Sequence, residues 1–201
     1  MIETAQLLLI ATTVLITFAF VGYVAAFVFA KQAVKSKVTV AVGTDGLGAE
    51  DSPAAPTMPS APAKGAGRGV VWFASMLSKV ALVTLTVSLV TRGLSTGHAP
   101  FANHYEFAVS FAWGMILAHI LFEWRYKVRT LALALMPVIL AMLIYATTLS
   151  YEASPLVPAL QNSPLLTMHV FTAALGYGAA AVGFAAAVMY LIAPKVKWKG
   201  W

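Results

Sequence analysis

The sequence of 201 residues contains no cysteine, and charged residues make up only 10% of it. Without a thiol the chain can form no disulfide, no thiolate metal site and no cysteine nucleophile. It also contains no GxSxG motif, no glycine-rich phosphate loop and no acid pair in a plausible pocket, so nucleophilic catalysis and phosphate chemistry find no support. Soluble domains carry about 25% charged residues, so the shortage of charge argues against a soluble protein.

What the chain has in abundance is apolar sequence: 60% of its residues are hydrophobic and the mean hydropathy is +0.83. A bilayer core about 30 Å thick needs roughly 20 apolar residues per helical span, and a backbone in lipid must satisfy its own hydrogen bonds. The first apolar run is too long for a signal peptide and no basic segment precedes it, so we expect a true span. The sequence predicts an all-α, multi-pass transmembrane bundle with five spans: Leu7–Ala30, Val70–Thr91, Tyr105–Phe122, Leu131–Leu149 and Leu166–Ile192.

The basic residues predict how the chain crosses the membrane. All 13 lysines and arginines except Lys79 and Arg92 lie after the first span, after the third span or in the C-terminal tail. The positive-inside rule therefore predicts an outside N-terminus, an inside C-terminus and outer loops after the second and fourth spans. This topology also explains the net charge of +6 without nucleic-acid binding. Trp72, Trp113 and Trp124 are expected to anchor the spans at the membrane interfaces.

Composition divides the chain into four predicted parts. Residues 1–31 form the first transmembrane helix, and residues 32–68, rich in proline, alanine, glycine and serine, are predicted to be a disordered cytoplasmic linker. Residues 69–194 form a four-helix membrane domain, and residues 195–201 form a basic cytoplasmic tail.

Two basic residues fall within apolar sequence. Lys79 would lie near the bilayer centre if the second helix began at Val70, so we expect the residues before it to lie partly at the inner interface. Arg92 then falls near the outer surface, where it could snorkel or pair with Glu106. Snorkelling is the favoured interpretation for Arg92 taken alone.

Three of the four histidines belong to, or lie close to, the predicted outer loops, and imidazole is a common ligand of iron and other transition metals. His98 and His104 are expected to be solvated loop residues, because no HxxxH or HExxH spacing is present. His119 shares a helix face with Glu123 four residues later. For His119 a neutral side chain in the bundle interior and a ligand role both stay open.

His169 differs from the other histidines because it lies at the head of a span rich in glycine and alanine. Ala179, Gly183 and Ala187 form a small-xxx-small ridge, which is expected to let another helix approach closely. An ionisable residue at the membrane boundary of a packed helix is a candidate functional residue. The alternative for His169 is a structural role, as an interfacial histidine that caps backbone groups.

Three stretches resemble the system II cytochrome c biogenesis family, the group of CcsA, CcsB and ResC. The stretch "RGLSTGHAPFANHYEFAVSFAWG" is similar to the family's first outer loop and the helix that follows it. The stretch "YEASPLVPALQNSPLLTMHV" resembles a segment of the family that ends in a histidine, and "ALGYGAAAVGFAAAVMYLI" resembles the glycine-rich helix after it. The resemblance covers about residues 80–193.

In that family haem crosses the membrane and is held outside between two histidines, beside a tryptophan-rich WWD loop. There it is attached to the CxxCH motif of apocytochrome c. The resemblance implies that His169 is an axial ligand of the haem iron and that the haem is b-type, non-covalent and transient. His98, His104 and His119 are further candidates for haem binding. The resemblance also implies structural or haem-pocket roles for seven residues: Arg92, Pro100, Asn103, Tyr105, Glu106, Pro158 and Gln161.

The chain departs from the family at Pro164, where the family usually has an aromatic residue, and it contains neither the WWD motif nor the second outer histidine. We therefore expect it to be incomplete without a WWD-containing or ResB-like membrane partner. Its other expected partners are haem, apocytochrome c and the lipid bilayer, in the bacterial cytoplasmic (inner) membrane. Whether it forms part of a haem lyase stays open.

Two other functions remain as alternatives. One is a haem-free multi-pass transporter or membrane scaffold, in which the histidines are polar packing residues. The other is a cytochrome b-type electron carrier. His119 and His169 are predicted to lie toward opposite leaflets and so cannot ligate one haem, whereas His98 or His104 could pair with His169.

Overall fold

The computed structural model describes residues 2–42, 66–152 and 163–192, and within these ranges the only regular secondary structure is α-helix. Each of the helices is long and apolar enough to cross a membrane. The all-α, multi-pass bundle and all five predicted spans are therefore confirmed; four of the helices are longer than the predicted spans, and the fourth is one residue shorter. The five helices are α1 (Ile2–Val42), α2 (Ala66–Thr96), α3 (His104–Tyr126), α4 (Leu131–Thr148) and α5 (Ser163–Ile192).

The first two helices extend into the segment predicted to be a linker. α1 continues to Val42 and α2 begins at Ala66, so both edges of residues 32–68 are helical, while residues 43–65 lie outside the described part. The division of the chain into four parts stays a prediction. α2 is one unbroken helix of 31 residues, about 45 Å long at 1.5 Å per residue. This exceeds a bilayer core of about 30 Å, which leaves room for exposed Lys79 to lie away from the bilayer centre.

The bundle has two ends, which we name by the connections made there. At the α2–α3 end, α2 and α4 finish and α1, α3 and α5 begin; at the α3–α4 end the directions are reversed. α1 packs mainly against α2, α3 packs mainly against α5, and α4 contacts α1, α3 and α5. Near the α2–α3 end the hydroxyl of Ser88 donates a 2.7 Å hydrogen bond to the carbonyl of Ala5, which ties α2 to α1.

Two glycines allow α3 and α5 to pack backbone against backbone. A Cβ atom added at Gly114 would overlap the carbonyl group of Ala174, and one added at Gly178 would overlap the carbonyl group of Gly114. Small residues of this kind are what let transmembrane helices approach closely. The α3–α5 crossing therefore depends on the absence of a side chain at both positions.

The ridge predicted for close packing on α5 is not the one that packs. Ala179, Gly183 and Ala187 are exposed, whereas Ala174 and Gly178 are buried against α3. All five are small residues at helical spacing, and only the position of α3 decides which of them form the contact.

We predict that Gly114→Ala lowers the stability of the bundle, because its methyl group must displace the α5 backbone. Overpacking of this kind costs about 1–3 kcal/mol, and thermal unfolding of the purified protein in detergent would measure it. The matched control is Gly183→Ala, whose Cβ would meet nothing within 4 Å and whose alanine favours the helix. Equal losses in both variants would contradict this account of the crossing.

Candidate functional site

Arg92 lies four residues before the end of α2. It is 2% exposed, and all three of its guanidinium nitrogens are bonded. Its Nε donates to Glu106 Oε1 at 2.7 Å. Its Nη1 and Nη2 donate to the carbonyl oxygens of Tyr151 and Glu152 at 2.7 and 3.2 Å, and its Cζ lies 4.6 Å from the ring centre of Tyr105. Snorkelling was thus the wrong interpretation, and the pairing with Glu106 is the one that forms.

The Glu106 carboxylate is satisfied on its other side by the start of α3. Asn103 is the N-cap of that helix, and its side-chain oxygen accepts from the Glu106 amide at 2.9 Å. Glu106 Oε2 accepts from the amide of Ala102 at 2.6 Å, so the two residues cap the helix from both directions, much as a capping box does. Asn103 also donates to the carbonyl of Glu152 at 3.5 Å.

The hydroxyl of Tyr105 donates to Gln6 of α1 at 2.8 Å, which brings a fourth segment to this point. Arg92, Asn103, Tyr105 and Glu106 therefore form one clamp, which we call the Arg92 clamp. It joins α1, α2, α3 and the chain that follows α4. The role visible for these four predicted residues is structural.

Beside the clamp, the chain after α2 folds back over the helix end. Gly97 has φ +72°, a left-handed conformation that glycine adopts without strain, and its amide donates to the carbonyl of Gly93 at 3.0 Å. This is the usual glycine cap of a helix C-terminus. It turns His98 and Pro100 back alongside α2, where both line a groove.

The groove lies between α2, α3 and α5 and has a volume of about 670 Å³. His98 is half-buried there, and its Nδ1 lies 2.9 Å from the carbonyl oxygen of Ala99. Because a carbonyl only accepts, Nδ1 is the donor in this contact, and in the neutral imidazole Nε2 then carries the lone pair. This setting differs from the solvated loop position expected for His98. The lining is mostly apolar: Thr86, Leu89, Val90, Gly93, Leu94, Gly97, His98, Ala99, Pro100, Phe101, Ser110, Trp113, Thr167, Phe171 and Ala174.

Two side chains of α3 give the groove its polar and aromatic features. Ser110 is buried, and its hydroxyl makes no hydrogen bond within the described residues. Trp113 donates from Nε1 to Thr86 Oγ1 at 2.8 Å and lies with its ring centre 5.8 Å from that of Phe171. Trp113 is therefore part of a helix contact rather than only an interface anchor.

His169 lies on the opposite side of α5 from the groove. It is two residues from both Thr167 and Phe171, which line the groove, and two residues are about 200° around a helix. The imidazole is exposed and has no hydrogen-bond partner among the residues that the structure describes. The structure thus brings His98 to the groove and His169 to the far face of α5. His104, at the start of α3, is exposed and does not line the groove.

His119 lies in the interior of the bundle, nearer the α3–α4 end. It is 1% exposed, and its Nε2 lies 3.4 Å from both the Tyr23 hydroxyl and Glu123 Oε2. The Tyr23 hydroxyl donates to that carboxylate oxygen at 2.5 Å, and the rings of Tyr23 and His119 meet edge to face. The shared face of His119 and Glu123 is as their spacing predicts. Pro158 and Gln161 lie outside the described residues, so their predicted roles stay predictions.

Comparison with known proteins identifies the family. Residues 101–201 match the family described as Cytochrome C assembly protein. The chain belongs to this family. It is 36% identical over 126 residues to the "Cytochrome c biogenesis protein CcsA" of Gloeobacter violaceus, a match that covers 61% of this chain and 36% of that protein. It is 34% identical over 119 residues to the protein of that name from Chlorella vulgaris, covering 57% and 38%. No solved structure matches the chain.

The matched relatives are considerably longer than the aligned region. The chain spans about two fifths of the length of the CcsA proteins from Guillardia theta and Pyropia yezoensis, covering 41% of each. The family and the five helices agree in describing a multi-pass membrane protein.

Several residues of the site carry no signal in the sequence. A serine such as Ser110 within an apolar helix is commonly bonded to the carbonyl four residues earlier, so nothing predicts its unpaired hydroxyl. Tyr23 lies 96 residues from His119, and no local spacing relates the two. A motif of closely spaced histidines lies within one helix. The groove is formed by three helices, so no such motif could reveal it.

We predict that Glu106→Gln destabilises the α2–α3 end, because it leaves the buried Arg92 guanidinium without its counter-charge. Removing one partner of a buried ion pair typically costs about 3–5 kcal/mol, measurable as a fall in unfolding temperature in detergent. Glu3→Gln is the control, since Glu3 is exposed in the first turn of α1 and should cost less than about 1 kcal/mol. A Glu106→Gln protein as stable as the control would show that the clamp is dispensable.

Proposed function

We propose that this chain is a membrane component of c-type cytochrome maturation, which binds haem at the α2–α3 end and presents it for attachment to the CxxCH motif of apocytochrome c. The proposal is supported by the family to which the chain belongs and by relatives that are named as cytochrome c biogenesis proteins. The haem is a cargo that the protein holds and releases.

The observation that carries the proposal is the setting of His169. Its imidazole is exposed on the face of α5 that no described helix covers, near the α2–α3 end. The same face continues with small exposed residues, Gly176, Ala179 and Gly183, which leave room for a flat macrocycle or a partner helix to approach the backbone. A neutral imidazole is an effective axial ligand for haem iron.

The chain supplies ligation and orientation, and the haem and the apocytochrome thiols supply the chemistry. Because the sequence has no cysteine, it cannot hold the haem through thioether bonds of its own. Non-covalent ligation through His169 suits a b-type haem that is bound transiently. The Arg92 clamp would set the direction in which the chain leaves α4 on its way to His169.

A partner would complete this site. The open face of α5 is suited to a WWD-containing or ResB-like membrane protein, which would add the second axial ligand and cover the exposed small residues. With such a partner the assembly would act as a haem lyase. The basic residues at the α3–α4 end and in the tail favour the cytoplasmic side for that end and the outer side of a bacterial inner membrane for the α2–α3 end.

The spacing of the histidines disfavours a bis-histidine electron carrier built on His119 and His169. Gly114 packs against Ala174, His119 lies five residues beyond Gly114, and His169 lies five residues before Ala174. The two imidazoles are therefore about ten helical steps, or about 15 Å, apart in depth, too far to bind one iron.

The orientation gives a direct test, because a cysteine-free chain accepts single cysteines for labelling. We expect a membrane-impermeant maleimide added to intact cells to label Ser150→Cys, at the α2–α3 end, and to leave Val128→Cys unlabelled until the membrane is opened. Both positions are exposed. Labelling with the reverse pattern would overturn the proposed orientation.

The haem ligand is tested by the visible spectrum of the purified protein. We expect haem added to the wild type to give a saturable Soret band, and His169→Ala to weaken haem binding at that site by at least the roughly 10–100-fold that changes around metal ligands cost. Imidazole added to His169→Gly should restore the band. The control Leu165→Ala, at an exposed position one turn away, should bind haem as the wild type does. Unchanged haem affinity in His169→Ala would refute the assignment.

A further inference from the structure

Lys79 is a charged residue on the outer surface of α2, where the exposed residues around it are apolar. Its exposed neighbours on that helix are Phe73, Met76, Val80 and Val83. Charged side chains in transmembrane segments are rare, and they usually face a bundle interior or pair with another charge. Lys79 does neither within the described residues, so its charge calls for an explanation.

The acidic residues that the structure describes do not neutralise Lys79. Glu106 and Glu123 are engaged by other side chains of the bundle. Glu3 and Glu152 belong to the α2–α3 end, beyond the far end of the helix that carries Lys79. The counter-charge therefore has to come from outside the described part of the chain.

The depth of Lys79 follows from how α1 packs against its neighbours. Ala74 of α2 packs against Gly22, and the next residue of α1, Tyr23, donates to Glu123 of α3. An exposed tryptophan lies two residues before Ala74 and another directly after Glu123, so the two indoles lie at a similar depth, toward the α3–α4 end. Tryptophans are enriched at membrane interfaces, so this level marks one boundary of the bilayer core.

Lys79 lies well inside that boundary. It is seven residues beyond Trp72, about 10 Å along the helix, and 13 residues before Arg92, about 20 Å. Together these distances match a bilayer core of about 30 Å, so Lys79 is about a third of the way across. Its four-carbon stem is too short to return the ammonium to the interface.

The residues around Lys79 form a seam that suits a second helix, and we call it the Lys79 seam. Trp72, Met76, Lys79 and Val83 are separated by four, three and four residues, the spacing at which one helix meets another in a left-handed pair. Transmembrane helices commonly pack in this way. The bundle covers the opposite side of α2, where Ala81 is fully buried, so the seam is free to bind a partner.

We propose that the Lys79 seam binds a transmembrane helix of a partner protein that carries an aspartate or glutamate at the depth of Lys79. The carboxylate neutralises the ammonium, and in the apolar core the attraction between the two charges is much stronger than in water. A single polar position in an apolar seam also fixes the register of the two helices. The seam lies on α2 rather than on the open face of α5, and the proposal does not depend on haem. The competing explanation is that Lys79 snorkels to a lipid phosphate.

The test is the binding of defined transmembrane peptides to the full-length protein in phosphatidylcholine vesicles. Energy transfer from a dye on Val128→Cys, an exposed position at the α3–α4 end, measures it. The peptides are leucine–alanine helices of about 20 residues that carry aspartate, asparagine or leucine a third of the way along. We expect the aspartate peptide to bind about tenfold more tightly than the other two, as a close charge pair would require.

Two variants of Lys79 test the role of its charge. Lys79→Leu should lose the preference for the aspartate peptide, and Lys79→Asp should instead prefer a peptide with lysine at that position. The matched control is Arg68→Leu, because Arg68 is an exposed cation near the start of the same helix. It should bind the three peptides as the wild type does.

Cross-linking tests the seam itself. A cysteine placed one turn from the aspartate of the peptide should form a disulfide with Val83→Cys, which lies in the seam. Thr84→Cys is the control, because the next residue is about 100° further around the helix, and it should not cross-link. Equal cross-linking at both positions would overturn the seam as the contact surface.

The binding outcomes decide between a partner helix and lipid. Equal affinity for the three peptides would overturn the proposal and leave Lys79 to the lipid headgroups. A preference for aspartate that persists in Lys79→Leu would also overturn it, because the carboxylate would then bind elsewhere. No haem is present in these measurements, so neither result bears on the haem ligand assigned to His169, and failure of that assignment would leave the seam unaffected.

Discussion

The buried ion pair between Arg92 and Glu106 is the constraint on which the α2–α3 end depends. Two charges inside an apolar bundle are tolerated only when their remaining hydrogen-bonding atoms are also satisfied. The chain meets this requirement with the amide of Ala102 and with the carbonyls of Tyr151 and Glu152. These partners belong to different parts of the chain, so satisfying one arginine fixes the end of α2, the start of α3 and the segment after α4. The groove mouth and the approach to α5 are positioned by the same interaction.

The sequence was sufficient for the helices and insufficient for the partners of polar groups. Five spans follow from length and hydropathy because a lipid-embedded backbone has few alternatives to helix. The pairing of Arg92 with Glu106 was open from their proximity in sequence, but snorkelling was favoured. The deciding acceptors lie 59 and 60 residues away, and no local pattern indicates them.

The same limit explains why the wrong ridge of α5 was expected to pack. Gly178 and Gly183 are both glycines in a run of small residues, so the sequence alone does not show which of them contacts another helix. The position of Gly114 on α3 distinguishes them. Its backbone lies against Gly178, and Gly183 is therefore on an exposed part of α5. His98 shows a related limit. A search for histidines at fixed spacing finds sites that lie on one helix. The groove that surrounds His98 is lined by residues of three helices.

The packing of α5 has a consequence for how a cargo would be handled. One face of the helix is occupied by α3 and the groove, so His169 on the other face is separated from His98 by the width of a helix, about 10 Å with its side chains. Two imidazoles on opposite sides of a helix cannot bind the same iron. An iron bound by His169 would therefore take its second axial ligand from outside the groove. The open face of α5 beside His169 is where a partner could provide one, whereas the groove is closed on three sides by this chain.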